Sequence, residues 1–91
     1  MQDQVVIQRA SGAVEAKVDD QVVLLSPLDF SYHALDPVGA RIWSLLETPL
    51  TFGDLITELI ASYSIDPDTC RADVTPFVER MSEIGVLTSS G

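Results

Sequence analysis

Leu35-Asp36-Pro37-Val38-Gly39-Ala40-Arg41-Ile42-Trp43-Ser44-Leu45-Leu46 is the stretch from which the fold is read. Asp36 can cap a helix by accepting from exposed backbone N–H groups, and Pro37 suits the first helical position, where its missing N–H would have had no partner. Val38, Ile42, Leu45 and Leu46 then recur at i, i+4, i+7 and i+8, an apolar stripe that Trp43 widens. Strand-like sequence precedes this helix and helical sequence follows it, so it joins a small sheet to a helical half.

Upstream, Val5 to Arg9 is a short β-prone run, and Ser11-Gly12 is a turn signal. In Val14-Glu15-Ala16-Lys17-Val18 apolar residues alternate with charges, the pattern of a strand with one buried and one wet face. Asp19-Asp20 turns the chain into Val22-Val23-Leu24-Leu25, apolar at every position and read as a central strand covered on both sides. After Ser26-Pro27-Leu28-Asp29, a last strand alternates again. Phe30, Tyr32 and Ala34 lie on one face, Ser31 and His33 on the other. In a meander this strand sits at an edge, with unpaired backbone groups that an extended peptide can satisfy by adding a strand.

Downstream, Glu47 to Leu50 is a break, and Thr51 with Asp54 resembles a helix-capping pair. Phe52, Leu55, Ile56, Leu59, Ile60 and Tyr63 mark a second helix. Asp66-Pro67 opens a third, whose buried stripe is Cys70, Val74, Phe77, Val78, Met81 and Ile84 and which Gly85 ends. Pro76 removes one bond inside it and predicts a kink. Thr88 to Gly91 is expected to fray. The fold class is therefore α+β: a small antiparallel sheet of three to four strands followed by three helices, of winged helix-turn-helix type.

The chain of 91 residues is read as one domain, 1–91, with a modest core. Fourteen Asp and Glu against five Lys and Arg give a formal charge of −9. That balance repels a phosphate backbone and attracts a basic peptide. The helix from Thr51 to Ser62 holds no Lys or Arg, which argues further against nucleic acid. One cysteine excludes an intramolecular disulfide and fits the cytoplasm, and the sequence shows neither a signal peptide nor an apolar run of membrane-spanning length. His33 and Cys70 are each alone of their kind, without a local catalytic or metal-ligand signature. No catalytic residue, metal site or cofactor is assigned. The scattered glycines form no phosphate loop.

The run from Leu35 to Trp43, preceded by Val23-Leu24-Leu25 and followed by Ala72-Asp73-Val74 and Ile84-Gly85-Val86-Leu87, resembles the PqqD-type leader-binding domains of peptide natural-product pathways, called RiPP recognition elements. The resemblance covers roughly residues 14–87, with Asp36 where the family commonly has Asn, an exchange a helix cap tolerates. It implies a non-catalytic module that binds the leader segment of a ribosomal precursor peptide and presents it to a leader peptidase, and then a cyclase, in lasso-peptide biosynthesis. The β-prone run from Val5 to Arg9 favours that pathway over service to a radical-SAM maturase. A small acidic winged-helix transcription regulator, or a subunit completing an enzyme's active site, are the alternatives of different class. The resemblance places the leader beside the last strand, Phe30, Ser31, Tyr32, His33 and Ala34. It draws the opposite wall from Arg71, Val74, Thr75 and Val78 of the third helix, with Asp73 nearby.

Overall fold

The computed structural model describes residues 1–90. Its elements run β1 (Val6–Arg9), β2 (Val14–Val18), β3 (Gln21–Leu25), β4 (Tyr32–Ala34), α1 (Pro37–Leu45), β5 (Leu50–Thr51), α2 (Phe52–Tyr63), α3 (Pro67–Glu83) and β6 (Leu87–Ser90). The class is α+β, but the strands form two antiparallel sheets rather than one, in the orders β5-β1-β6 and β2-β3-β4.

The helix starts follow the capping chemistry. Asp36 accepts from the Gly39 amide at 2.7 Å, Thr51 from Asp54 at 3.1 Å, and Asp66 from Asp68 and Thr69. Helix α3 continues through Pro76, and Gly85 follows the helix with φ 82°. An alanine at Gly85 would be strained there, and its Cβ would stand 2.8 Å from Leu28 Cγ. Gly85→Ala should therefore lower the thermal unfolding midpoint, which circular dichroism would read.

The C-terminal run does not fray. Leu87 to Ser90 pairs with β1 in the register Val6↔Ser90 to Arg9↔Leu87, which satisfies the backbone of both segments; Gly91 lies outside the described residues. The break after α1 likewise contains a short strand, Leu50–Thr51, on the other edge of β1. These long-range pairings draw Val5–Arg9 away from the meander expected of it.

Ile7, Leu24, Ile42, Trp43, Leu46, Phe52, Leu55, Ile56 and Leu59 are buried in the core, together with Cys70, Val74, Val78 and Met81 of α3. Phe77 and Ile84, expected in that stripe, are only half-buried, and Val38 and Tyr63 are exposed. The largest departure is β2, exposed at every position. The register Val14↔Leu25, Ala16↔Val23 and Val23↔Ala34 puts Val14, Ala16, Val18, Val23, Leu25, Tyr32 and Ala34 on one face. Leu24 and Val22, on the opposite face, are the β3 residues that pack on the core. The sheet is thus covered on one side only, and the alternation in β2 sends its apolar residues outward.

Arg9 ties β1, β2 and α1 together. Its guanidinium lies 4.2 Å from the Trp43 ring centroid and donates to the Trp43 carbonyl at 2.6 Å. The indole N–H donates to Glu15 Oε1 at 2.7 Å, which satisfies the one polar atom of a side chain only 4% exposed.

Candidate peptide-binding groove

The turn before β4 is ordered by short polar contacts. Ser26, fully buried, donates through its hydroxyl to the Ile84 carbonyl at 2.6 Å and accepts from the Leu28 amide at 3.2 Å. The Ser31 hydroxyl donates to Asp29 Oδ1 at 2.6 Å, and the Ser31 amide donates to the same oxygen at 3.0 Å. Those two bonds, the hydroxyl's first, hold the Asp29 carboxyl below the usual carboxylate range. His33 Nε2 lies 2.7 Å from Ser31 Oγ. This Asp29–Ser31–His33 chain is not a nucleophilic triad, because the hydroxyl sits between the carboxylate and the imidazole, whereas a triad needs the carboxylate to orient the imidazole. Phe30 is a turn residue with φ 61° rather than part of the strand, and it is 73% exposed.

Among the described residues β4 pairs only with β3, so its other edge is open there. Which of its groups face that edge follows from two flanking bonds: the Ser31 carbonyl accepts from the Ser26 amide, and the Leu35 amide donates to the Val22 carbonyl, both at 2.9 Å. Backbone groups alternate in direction along a strand, so His33, in phase with Ser31 and Leu35, points its N–H and C=O at β3. Tyr32 and Ala34 point theirs away from it.

The open edge borders a groove of about 370 Å³, lined on the strand side by Tyr32, His33, Ala34, Leu35 and Asp36 and on α3 by Phe77, Arg80 and Met81. A second hollow of about 310 Å³ shares Asp36, Phe77 and Arg80 with it and runs on between α1 and α3, past Val38, Gly39, Asp73 and Val74. A third, about 200 Å³, shares Val38, Asp73 and Val74 and ends against Leu59, Tyr63 and Ile65. Together they form a channel along α3 from the free strand to the end of α2. Its only cation among these lining residues is Arg80, which has no ion-pair partner among the described residues.

The wall is rotated relative to the expected one. Of Arg71, Asp73, Val74, Thr75 and Val78, only Asp73 and Val74 line the channel, and Val74 is 3% exposed. Val78 is fully buried, Thr75 bonds back to the Arg71 carbonyl, and Arg71 is paired with Asp3 and stacked over Phe52 on another side of the helix. Packing of Cys70, Val74, Val78 and Met81 into the core brings Asp73, Phe77 and Arg80, spaced i, i+4 and i+7, to one side of α3, where Phe77 and Arg80 face β4 and Asp73 faces α1. Phe77 and Arg80 were missed for identifiable reasons: Phe77 looks like core in an apolar stripe, and Arg80 like a solvated cation. The one available signal is that Phe77 falls out of step with the 70, 74, 78, 81 series.

Gly39 belongs to this geometry. A Cβ there would lie 2.9 Å from Phe77 Cε1 and 3.1 Å from Asp36 Oδ1, so the absence of a side chain lets the Phe77 ring seat against α1. Cys70 offers no nucleophile, since it is fully buried and both burial and the neighbouring Asp73 push its thiol pKa up. Among the described residues no group of His, Cys, Asp and Glu is placed to hold a metal ion, and no helix is long and apolar enough to cross a membrane.

A larger cleft, about 600 Å³, lies on the far side of α1 between Arg9, Glu15, Lys17, Arg41 and Glu47. It adjoins β2, the other open edge of the same sheet. Glu15 and Lys17 on that strand are the charged residues that protect edges from pairing, whereas Tyr32, His33 and Ala34 include no Lys, Asp or Glu.

The family model described as coenzyme PQQ synthesis protein D (PqqD) matches residues 21–87. The chain belongs to the PqqD family. The match runs from β3 to the start of β6 and so includes the open strand, the α1 cap and the whole of α3 that line the channel. A solved structure described as TbiB1 in complex with the TbiA(beta) leader peptide is similar to this PqqD-family chain at 33% identity and TM-score 0.75, over 92% of this chain and 98% of that one. No match was found among curated proteins.

Proposed function

We propose that this PqqD-family chain binds the leader segment of a ribosomally made precursor peptide as an added strand beside β4 and presents it, without catalysis of its own, to a leader peptidase of a lasso-peptide pathway. One observation carries the reading: the outward-facing backbone of Tyr32 and Ala34 opens onto a channel walled by Phe77, Arg80 and Met81. Backbone pairing supplies affinity without demanding one leader sequence, and the hollows beyond, one with Asp36, Asp73 and Arg80 in its wall and a farther apolar one, supply side-chain selectivity. The similar TbiB1 was solved with a leader peptide bound, which supports the same use here. A cyclase would then act on the processed precursor. We read the helices with the β2–β3 hairpin as a winged helix-turn-helix arrangement, and the charge of −9 removes the basic footprint a DNA-binding version needs.

Calorimetric titration with a synthetic leader peptide tests the reading directly. Saturable one-to-one binding that survives high salt in large part is expected, because strand pairing and apolar contacts are screened far less than surface charge. Absence of binding, or binding abolished by salt, would overturn strand addition.

Gly39→Ala probes the channel wall separately from the fold. Alanine is favoured over glycine in a helix, by up to about 1 kcal/mol in an interior and by less in the first turn where Gly39 lies, which offsets the crowding against Phe77 and the Asp36 cap, so the domain should stay folded while Phe77 is displaced. Leader affinity should fall several-fold with little change in the unfolding midpoint. Unchanged affinity would place Phe77 outside the contact.

A further inference from the structure

His33 is the one β4 side chain on the helix side of its sheet. It stands opposite the fully buried Leu24, is itself half-buried, and lines the groove that Phe77, Arg80 and Met81 close from α3. Its hydrogen bonding has a definite direction. The Ser31 hydroxyl has a single proton, and the Asp29 carboxylate, which can only accept, takes it at 2.6 Å. Ser31 Oγ is therefore left to accept at 2.7 Å from His33 Nε2, which must carry the hydrogen. The chain thus selects the Nε2–H tautomer, and in the neutral ring Nδ1 keeps its lone pair. Nδ1 has no hydrogen-bond partner among the described residues. No sealed-off side-chain nitrogen or oxygen among them lacks one, so Nδ1 is open to solvent.

We propose that His33 is a specificity-determining residue of the groove, whose Nδ1 accepts a hydrogen bond from a hydroxyl or carboxamide side chain of the bound leader. The inference deepens the leader-binding reading above and rests on it. The charges of the groove select the donor class. A leader carboxylate has no proton to give and is drawn instead to Arg80, which has no ion-pair partner among the described residues. A leader ammonium is drawn to Asp36 and repelled by Arg80. A neutral donor is drawn to neither, and Nδ1 is the acceptor left for it. Ser31 and Asp29 do not line the groove and act as positioning residues, holding the imidazole in one tautomer. The charged groups that share the turn and the groove with His33 are Asp29, Asp36 and Arg80. Protonation of the ring puts a hydrogen on Nδ1, so a leader donor meets a donor and the bond is lost. Leader affinity should therefore fall as the pH drops from about 8 to 5, the interval in which histidine changes charge.

The test titrates a synthetic leader, free of histidine and blocked at both termini, into the full chain by calorimetry. His33→Phe keeps an aromatic ring without the acceptor and should bind about tenfold more weakly at pH 8. Alanine in place of one leader Ser, Thr, Tyr, Asn or Gln should cost wild type about the same factor and His33→Phe nothing, the non-additivity of a direct contact. Wild type should lose about tenfold in affinity between pH 8 and 5, and His33→Phe should not. Ser31→Ala should weaken binding a few-fold and release the tautomer. That tautomer is read in wild type from ring ¹⁵N signals, which the single histidine makes unambiguous. The free chain should show the hydrogen on Nε2, and bound leader should move the Nδ1 signal toward that of a hydrogen-bonded acceptor. A free ring with the hydrogen on Nδ1, an Nδ1 signal unmoved by leader, additive losses at every leader hydroxyl and carboxamide, or matching pH profiles for wild type and His33→Phe would each overturn the inference. Failure of wild type to bind leader would instead overturn the reading on which it rests.

Discussion

Tyr32→Pro and Ala34→Pro should each remove leader binding while leaving a folded domain, and His33→Pro should do the reverse, damaging the fold first. The asymmetry comes from backbone direction alone. The N–H groups of Tyr32 and Ala34 face the open edge, where proline deletes a donor and sets its ring against the incoming strand, but costs no bond within the sheet. At His33 the N–H belongs to the β3–β4 ladder, opposite the fully buried Leu24. A lost hydrogen bond with its unsatisfied partner costs about 1–3 kcal/mol, so affinity should drop by roughly 10- to 100-fold at either outward position before steric exclusion is added. Calorimetry gives the affinity and circular dichroism the fold. Folded Tyr32→Pro and Ala34→Pro variants with normal affinity would place the leader elsewhere.

Trp43→Ala should be the most damaging single truncation. The indole is 4% exposed, its N–H is bonded to Glu15, and the Arg9 guanidinium lies over its face while donating to its carbonyl. Removing it opens a cavity and strips Arg9 and Glu15 of a shared partner, at a cost of about 3–5 kcal/mol. For a domain of this size that is a large share of total stability. Denaturant unfolding should show the midpoint collapse. A loss below about 1 kcal/mol would mean that the junction of β1, β2 and α1 does not depend on the indole.

Local chemistry was legible where it is local. Asp36-Pro37, Thr51 with Asp54, Asp66-Pro67 and Gly85 mark helix ends by satisfying nearby backbone groups, and the structure places caps at each. Strand partners were not legible, because the pairing of Val6–Arg9 with both Leu50–Thr51 and Leu87–Ser90 is settled by packing between segments far apart in the chain. Alternation in β2 showed that its two faces differ, but not which faces water, and the register with β3 sends Val14 and Val18 outward. The open edge at Tyr32–Ala34 was anticipated from the order of strands. The facing wall was not. A rotation of about 100° per residue separates a core position from its neighbour, and it leaves Arg71, Thr75 and Val78 off the groove beside β4 while Phe77 and Arg80 line it.

Amide hydrogen exchange, read residue by residue by NMR with and without a synthetic leader peptide, tests strand addition most directly. The Tyr32 and Ala34 amides, open to water in the free chain, should become strongly protected on leader binding, while the His33 amide, already bonded within the sheet, should change little. Leader binding that leaves the Tyr32 and Ala34 amides exchanging as in the free chain would contradict the account.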